Sequence, residues 1–496
     1  MFDEGERGIS TNSSRTTRIP ANQLVGVNRY ATSQYRNTIH NPWVDSIFCD
    51  ADGFEMQIFI GQLAILAASV SLVAGLDFAT HDPLSADEII RWRQDLSVLA
   101  AELPALHKNA FHTTPKESFV ARVSALHELI PTLARHQIIV EMARLVAAVG
   151  DGHTSISPTR DPKIGVKVLP LKFYFFRDGL YVRAASMQFR KWIGARVLTI
   201  GETTPDEALA RVSEIIGHDN SSGAHYFAPH LLAMPAVLHA LKLTDDPTGA
   251  TLVLVLGTQT HQIRLTASEV PQMMAPDTDL SWLPQQGWFD LRAINRLEAE
   301  PDPLWLRDPA NEFWIAQIPN TGMLYVQINK IANKPTESLA AFGERIRAAA
   351  DPASIDTLVL DLRLNRGGNG ALLAPLISSL VKAKTDRPGH FYVVSGRATF
   401  SAAQFLLDRL ENYTAAIFVG EPSGSKGNAY GDSWRITLPN SRITVRASIN
   451  YWQDWHPLDD RAWIEPSIRA ELSSADYRNG VDPALAAILR DVTARH

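Results

Sequence analysis

The sequence predicts a mixed α/β protein whose last third builds a parallel sheet with crossover helices. A helical segment and a smaller α+β segment precede it. Three observations lead there. Between residues 311 and 496, short apolar runs rich in β-branched residues (IDTLVLDL, HFYVVSG, AAIFVG) alternate with helical patterns (GALLAPLISSLVKA, SAAQFLLDRLEN), an alternation that argues for parallel strands joined by helices. From Ser85 to Gly150 the apolar spacing is helical in three pieces. In between, LKFYFF and LYVRAA flank a turn containing Asp178 and Gly179, the pattern of an antiparallel hairpin. A chain of 496 residues exceeds the usual size of one core, so two or three domains are expected.

Residues 1–55 are rich in Ser, Thr, Asn and Arg without sustained periodicity and read as a disordered leader. Residues 56–76 (MQIFIGQLAILAASVSLVAGL) carry no charge and at ~1.5 Å per residue are long enough to cross a hydrocarbon core. Three readings compete: a membrane anchor, a signal peptide starting at Met56, and a buried helix. Gln57, Gln62 and the acidic flanks Glu55 and Asp77 count against the first two. On length the segment points to membrane association or export to a periplasmic or extracellular space, with a cytoplasmic location as the alternative.

The helical domain is expected over 85–155. Its first helix opens at Ser85 with acidic residues in the first turn, and its second at Thr114, Pro115 and Glu117, a capping box with proline at the first helical position. The third, from about Gln137 to Val149, puts Ile138, Met142, Leu145, Val146 and Val149 on one face and stops at Gly150. The α+β domain is expected over 160–310, with IGARVLTIGETTPDEALARVSEII read as strand, turn and helix. The parallel-sheet domain follows over 311–496.

Composition narrows the function classes. With 47 basic and 53 acidic residues, a net charge of −6 and no basic stripe, nucleic acid is not an expected partner. The single cysteine, Cys49, excludes an internal disulfide and paired thiolate metal sites. None of the 15 histidines lies in an HExxH or similar ligand spacing, so no metal and no cofactor is implied.

In open parallel sheets ligands bind past the carboxyl ends of the strands, and three segments each follow a predicted strand: DLRLNRGGNG, RATFSAAQ and EPSGSKGNAYGD. Ser401 lies between a strand and a helix starting at Ala402, where free amides favour developing negative charge; read alone, it is an ordinary helix cap. Gly367 and Gly368 let backbone approach a substrate carbonyl, and one of their amides with that of Ala402 would make a two-donor oxyanion hole; a lone Gly-Gly is otherwise a tight turn. Lys426 is a candidate base if kept dry, against the usual solvated loop lysine. His153 is a second candidate base, against a structural role at the end of the third helix.

DLRLNRGG, TFSAAQ, VGEPSGSKG and WIEPSIRAELSSADYRNGVDPALAAIL, in that order, resemble the signature of the tail-specific, C-terminal-processing serine peptidases, a family with tricorn-core and retinoid-binding relatives. The likeness spans about residues 85–490. It implies a crotonase/ClpP-like core, Ser401 as nucleophile, Lys426 as the lysine of a Ser-Lys dyad, and Ala402 with Gly367 or Gly368 as oxyanion donors. Tyr430 stands where the classical enzymes carry a glutamine that orients the lysine. DGHT resembles the histidine segment of tricorn-like members, which implies a Ser401–His153–Asp460 relay as the alternative, with Asp459 beside it; the serine that precedes the histidine there is Gly152 here. IGARVLTIGETTPDEALARV is similar to part of a PDZ module, without a clear carboxylate-binding loop.

The leading expectation is a serine endopeptidase acting on peptides or proteins through an acyl-enzyme on Ser401. The alternatives are a non-catalytic binder of an apolar ligand on the same fold and a crotonase-like acyl-CoA enzyme that would not need Ser401.

Overall fold

The computed structural model describes residues 84–156, 167–269, 286–294, 302–454 and 456–495. The leader and the uncharged stretch 56–76 lie outside the described residues. No helix among the described residues is long and apolar enough to cross a membrane.

Three helices come first: α1 (Ala86–Leu106), α2 (Lys116–Leu129) and α3 (Arg135–Ala147). Ser85 caps α1 in a capping box with Glu88, satisfying orphan amides of the first turn. The start of α2 differs from the sequence reading. Pro115 itself is the N-cap, and its ring cannot make a side-chain bond; the Thr114 hydroxyl instead donates to the Ala148 carbonyl at 2.5 Å and so ties the α2 start to the end of α3. Ile138, Met142, Leu145, Val146 and Val149 are all buried.

A six-stranded antiparallel sheet follows: β1 (Leu171–Phe176), β2 (Gly179–Ser186), β3 (Arg196–Ile200), β4 (Gly249–Leu256) and β5 (Gln259–Thr266) in that spatial order, with the short strand Trp288–Asp290 also paired to β2. Helices α4 (Pro205–Ser213) and α5 (Ser221–Leu231) lie between β3 and β4 in sequence. The three N-terminal helices and this sheet share one continuous apolar cluster that also takes in Ile436, Val445 and Ala447. The helical segment therefore has no core of its own.

The remaining sheet has six strands: β6 (Phe313–Ile318), β7 (Met323–Ile328), β8 (Thr357–Asp361), β9 (Phe391–Ser395), β10 (Ile417–Gly420) and a final short strand Ile468–Arg469. Pairing is parallel from β7 onward and antiparallel only between β6 and β7. Helices α6 (Leu339–Ala350), α7 (Leu373–Val381) and α8 (Ala402–Tyr413) are the crossovers, and α9 (Pro483–Arg495) closes the chain. Every residue of β8 and β9 is buried, since both faces are covered: Leu358 and Leu360 pack under α6, α7 and α8, Val359 and Tyr392 under α9. That is why these strands read as unbroken apolar runs instead of alternating ones.

A long hairpin between β10 and the last short strand, Asn428–Thr437 with Thr444–Gln453, forms a separate sheet with the two-residue strand Ser155–Ile156. This small sheet ties the chain just after DGHT to the hairpin that follows β10.

Candidate active site

The carboxyl ends of β8, β9 and β10 are adjacent because the strands pair in that parallel order, so the loops 362–369, 396–401 and 421–427 emerge side by side. Asn365, fully buried, joins the first two. Its Nδ2 donates to the Ile328 carbonyl, its Oδ1 accepts from the Gly367 amide, and its own carbonyl accepts from the Phe400 amide. Thr399 ties the second loop to both others: its hydroxyl donates to the Leu362 carbonyl of the first and its carbonyl accepts from the Gly424 amide of the third.

At the top of this frame Ser401 sits at φ 58° and ψ −127°, a conformation that L-residues avoid and that surrounding structure must enforce. It precedes α8 but makes no capping hydrogen bond; its Oγ is 3.0 Å from His153 Nε2 instead. The ordinary helix-cap reading of this serine is thereby excluded. Gly367 holds φ +99°, and a Cβ there would lie 2.7 Å from Ser401 Cβ and 2.9 Å from the Ala402 amide nitrogen. Only glycine lets the two loops come this close.

The oxyanion candidates separate. The Gly367 amide is committed to Asn365. The amides of Gly368 and Ala402 donate to no group among the described residues, which leaves those two free for a developing negative charge.

His153 is fixed by its backbone and by a ring. Asp151 Oδ1 accepts from the amides of both His153 and Thr154, while its Oδ2 pairs with His107 Nε2 at 2.9 Å and the Ser448 hydroxyl donates to Oδ1. These bonds hold the Asp151 carboxyl below its ordinary value against the opposing effect of burial. The imidazole stacks on Phe400 at 4.4 Å between centroids. A Cβ on Gly152 would lie 2.7 Å from the Phe400 ring, so the stack leaves no room for a serine at that position. His153 Nδ1 is buried without a partner among the described residues, so ring orientation comes from this packing and not from a carboxylate on Nδ1.

Burial pushes the His153 imidazole below its ordinary value; the negative charges of Asp219, Asp151 and Asp432 oppose this, and the nearby Arg366 cation adds to it. The ring is therefore neutral at pH 7, and Nε2 can accept the Ser401 proton.

The other two sequence candidates lie apart from this contact. Lys426 is half-buried and makes no hydrogen bond or ion pair among the described residues, Ser401 included. Asp460 is exposed and makes no contact with His153, and Asp459 is bound to Arg461. Tyr430 packs its ring among His107, His112 and Tyr451.

Asp219 is a residue that sequence reasoning missed. Nine-tenths buried, it accepts the Gly152 amide at 2.7 Å on Oδ1 and the Ser425 hydroxyl at 2.6 Å on Oδ2. One carboxylate so fastens the histidine loop to the loop that carries Lys426. Its flanking sequence, GHDNSSG, is a polar pre-helix turn with no spacing that ties it to either loop.

No family model and no curated protein matches the sequence. Solved structures do match. Mature CPAF complexed with lactacystin matches with a TM-score of 0.54 at 14% identity, over 83% of this chain and 99% of that one. A serine-to-alanine mutant of CPAF gives 0.52 at 13%, over 79% and 95%. The chain has the CPAF fold. The photosystem II D1 C-terminal processing protease is among the matches as well, at 15% identity over 82% of this chain and 97% of that one, with a TM-score of 0.35. Since the match runs through nearly the whole of CPAF, the helical, antiparallel and parallel parts described above together make up one CPAF-like unit.

Proposed function

We propose that this chain is a serine peptidase in which Ser401 is the nucleophile and His153 its general base. The observation that carries the reading is the 3.0 Å contact between Ser401 Oγ and His153 Nε2, made by a serine held at positive φ that caps nothing. The ordered motifs shared with the tail-specific peptidases and the CPAF fold support the same reading.

Ser401 Oγ attacks the carbonyl carbon of a peptide bond as its proton passes to His153 Nε2. The carbonyl oxygen, now an oxyanion, accepts from the Gly368 and Ala402 amides. Collapse of the tetrahedral intermediate breaks the C–N bond, and the imidazolium returns its proton to the departing amine. Water then loses a proton to the same nitrogen, attacks the acyl ester, and releases the new carboxylate while Ser401 regains its hydrogen. No step is assigned to Lys426 or Asp460. A crotonase-like acyl-CoA reaction would give the Ser401–His153 pair no task, and a passive apolar-ligand binder would not need the neutral buried imidazole.

The uncharged stretch 56–76 supports membrane association or export as the setting of this activity. Casein hydrolysis tests the chemistry. Ser401→Ala and His153→Ala are each expected to lose about a thousandfold or more in kcat/KM, and Lys426→Ala to stay within about tenfold of wild type. Full turnover by Ser401→Ala would end the reading. CPAF was solved with lactacystin, so lactacystin is also the first inhibitor to try.

A further inference from the structure

Next to the free oxyanion amides stands a cation that the reaction above does not use. Arg366 immediately precedes Gly367 and is half-buried. Its guanidinium lies 4.8 Å from the ring centroids of both Tyr226 and Phe227 on α5, rings that meet edge to face at 4.9 Å. One of its five N–H groups is accounted for: Nη1 donates to the Tyr226 hydroxyl at 3.2 Å. No carboxylate meets it among the described residues.

Three other partly buried arginines of this domain are treated differently. Arg363 is paired with Asp361 and Asp482, Arg397 with Glu421, and Arg409 with Asp454. A cation withdrawn from water is costly unless an anion or a comparable partner compensates it. Two aromatic faces compensate part of that cost and fix the plane of the guanidinium. The remaining N–H donors form a fork of the kind that matches a carboxylate. Arg366 adjoins Gly367, which packs against Ser401, and its charge acts on the His153 imidazole; both put it in the neighbourhood of the Ser401–His153 contact.

We propose that Arg366, braced by Tyr226 and Phe227, is a substrate subsite that binds a peptide carboxylate close to the scissile bond. The carboxylate is either an Asp or Glu side chain or a free chain terminus; both present the same two oxygens. The inference rests on the peptidase reading for its meaning, but its test does not.

The experiment measures binding of alanine-based hexapeptides to folded Ser401→Ala protein by competition against a rhodamine-labelled peptide. Four peptides are compared: with and without one glutamate, each with a free or an amidated C-terminus. Because this protein does no chemistry at Ser401, failure of the binding result is distinct from failure of the peptidase reading. Peptides bearing the recognised carboxylate are expected to bind about tenfold more tightly than the neutral amide. Tighter binding that follows glutamate identifies a side-chain subsite, and tighter binding that follows the free terminus identifies a tail subsite.

Added to Ser401→Ala, Arg366→Gln is expected to erase the difference and Arg366→Lys to keep part of it. Arg366→Glu should turn the preference toward a lysine-containing peptide, which loss of packing alone would not do. Equal binding of all four peptides, or an unchanged preference in Arg366→Gln and Arg366→Glu proteins with native melting curves, would overturn the proposal.

Discussion

At the scale of single residues, the site depends on a serine and a histidine 248 positions apart in sequence whose local environments suit one proton transfer. Ser401 was legible as a helix-start serine after a strand, and the Gly-Gly loop as its neighbour, because both follow from strand-end punctuation. Which glycine amide is free was not legible, since that turns on the Asn365 side chain taking the Gly367 amide. Nor was which candidate base meets Ser401, which turns on where the small hairpin sheet carries DGHT. Burial lowers the His153 value, and protonation disables the base, so activity survives to lower pH than an ordinary imidazole allows. The acid limb of kcat/KM is therefore expected below about 6.5. Asp219 opposes this shift, so Asp219→Asn, which can still accept from Gly152, should move the limb lower still. A limb that stays in place or moves up in that variant would show that Asp219 acts on the loops alone.

At the scale of elements, α8 begins just after the serine and carries a buried acid with an unusual state. Asp408 accepts from Gln404 Nε2 at 2.8 Å on Oδ1, while Oδ2 is buried with no partner among the described residues. Burial pushes its carboxyl up to about 8, helped by Asp454, Glu411 and Asp459 and opposed by the Gln404 bond. In the unfolded chain the same group ionises near 3.8, so the folded state binds the proton more tightly. Its contribution is intact below that value and is lost progressively as pH rises toward about 8. Asp408→Asn should remove this loss, raising the melting temperature by several degrees at pH 8 and by little at pH 4; an equal shift at both would contradict the assignment. The helix itself was readable from its spacing, whereas the buried acid on it was not, because its burial comes from tertiary packing, the Gly427 backbone against the carboxyl included. Thr114 is the converse case: its sequence matches a capping box, and a tertiary bond to Ala148 overrides it.

At the scale of the whole molecule, the alternation of apolar runs and helices after residue 311 carried the parallel sheet, and both-face burial of β8 and β9 explains why those runs contained no polar alternation. What local patterns could not convey is the shared core. The N-terminal helices pack into the same apolar cluster as the antiparallel sheet, and the hairpin 428–453 extends that continuity to the serine domain. The proposed base and nucleophile thus come from two segments 248 positions apart, which the fold brings to 3.0 Å. The central claim is that this contact activates Ser401. Its most direct measurement is the site and rate of labelling by a fluorophosphonate, read by mass spectrometry of the modified peptide in wild type, His153→Ala and Lys426→Ala proteins. One adduct is expected, on Ser401, formed at a near wild-type rate without Lys426 and slowed about a thousandfold without His153. Labelling of Ser401 that survives His153→Ala and vanishes in Lys426→Ala would contradict it.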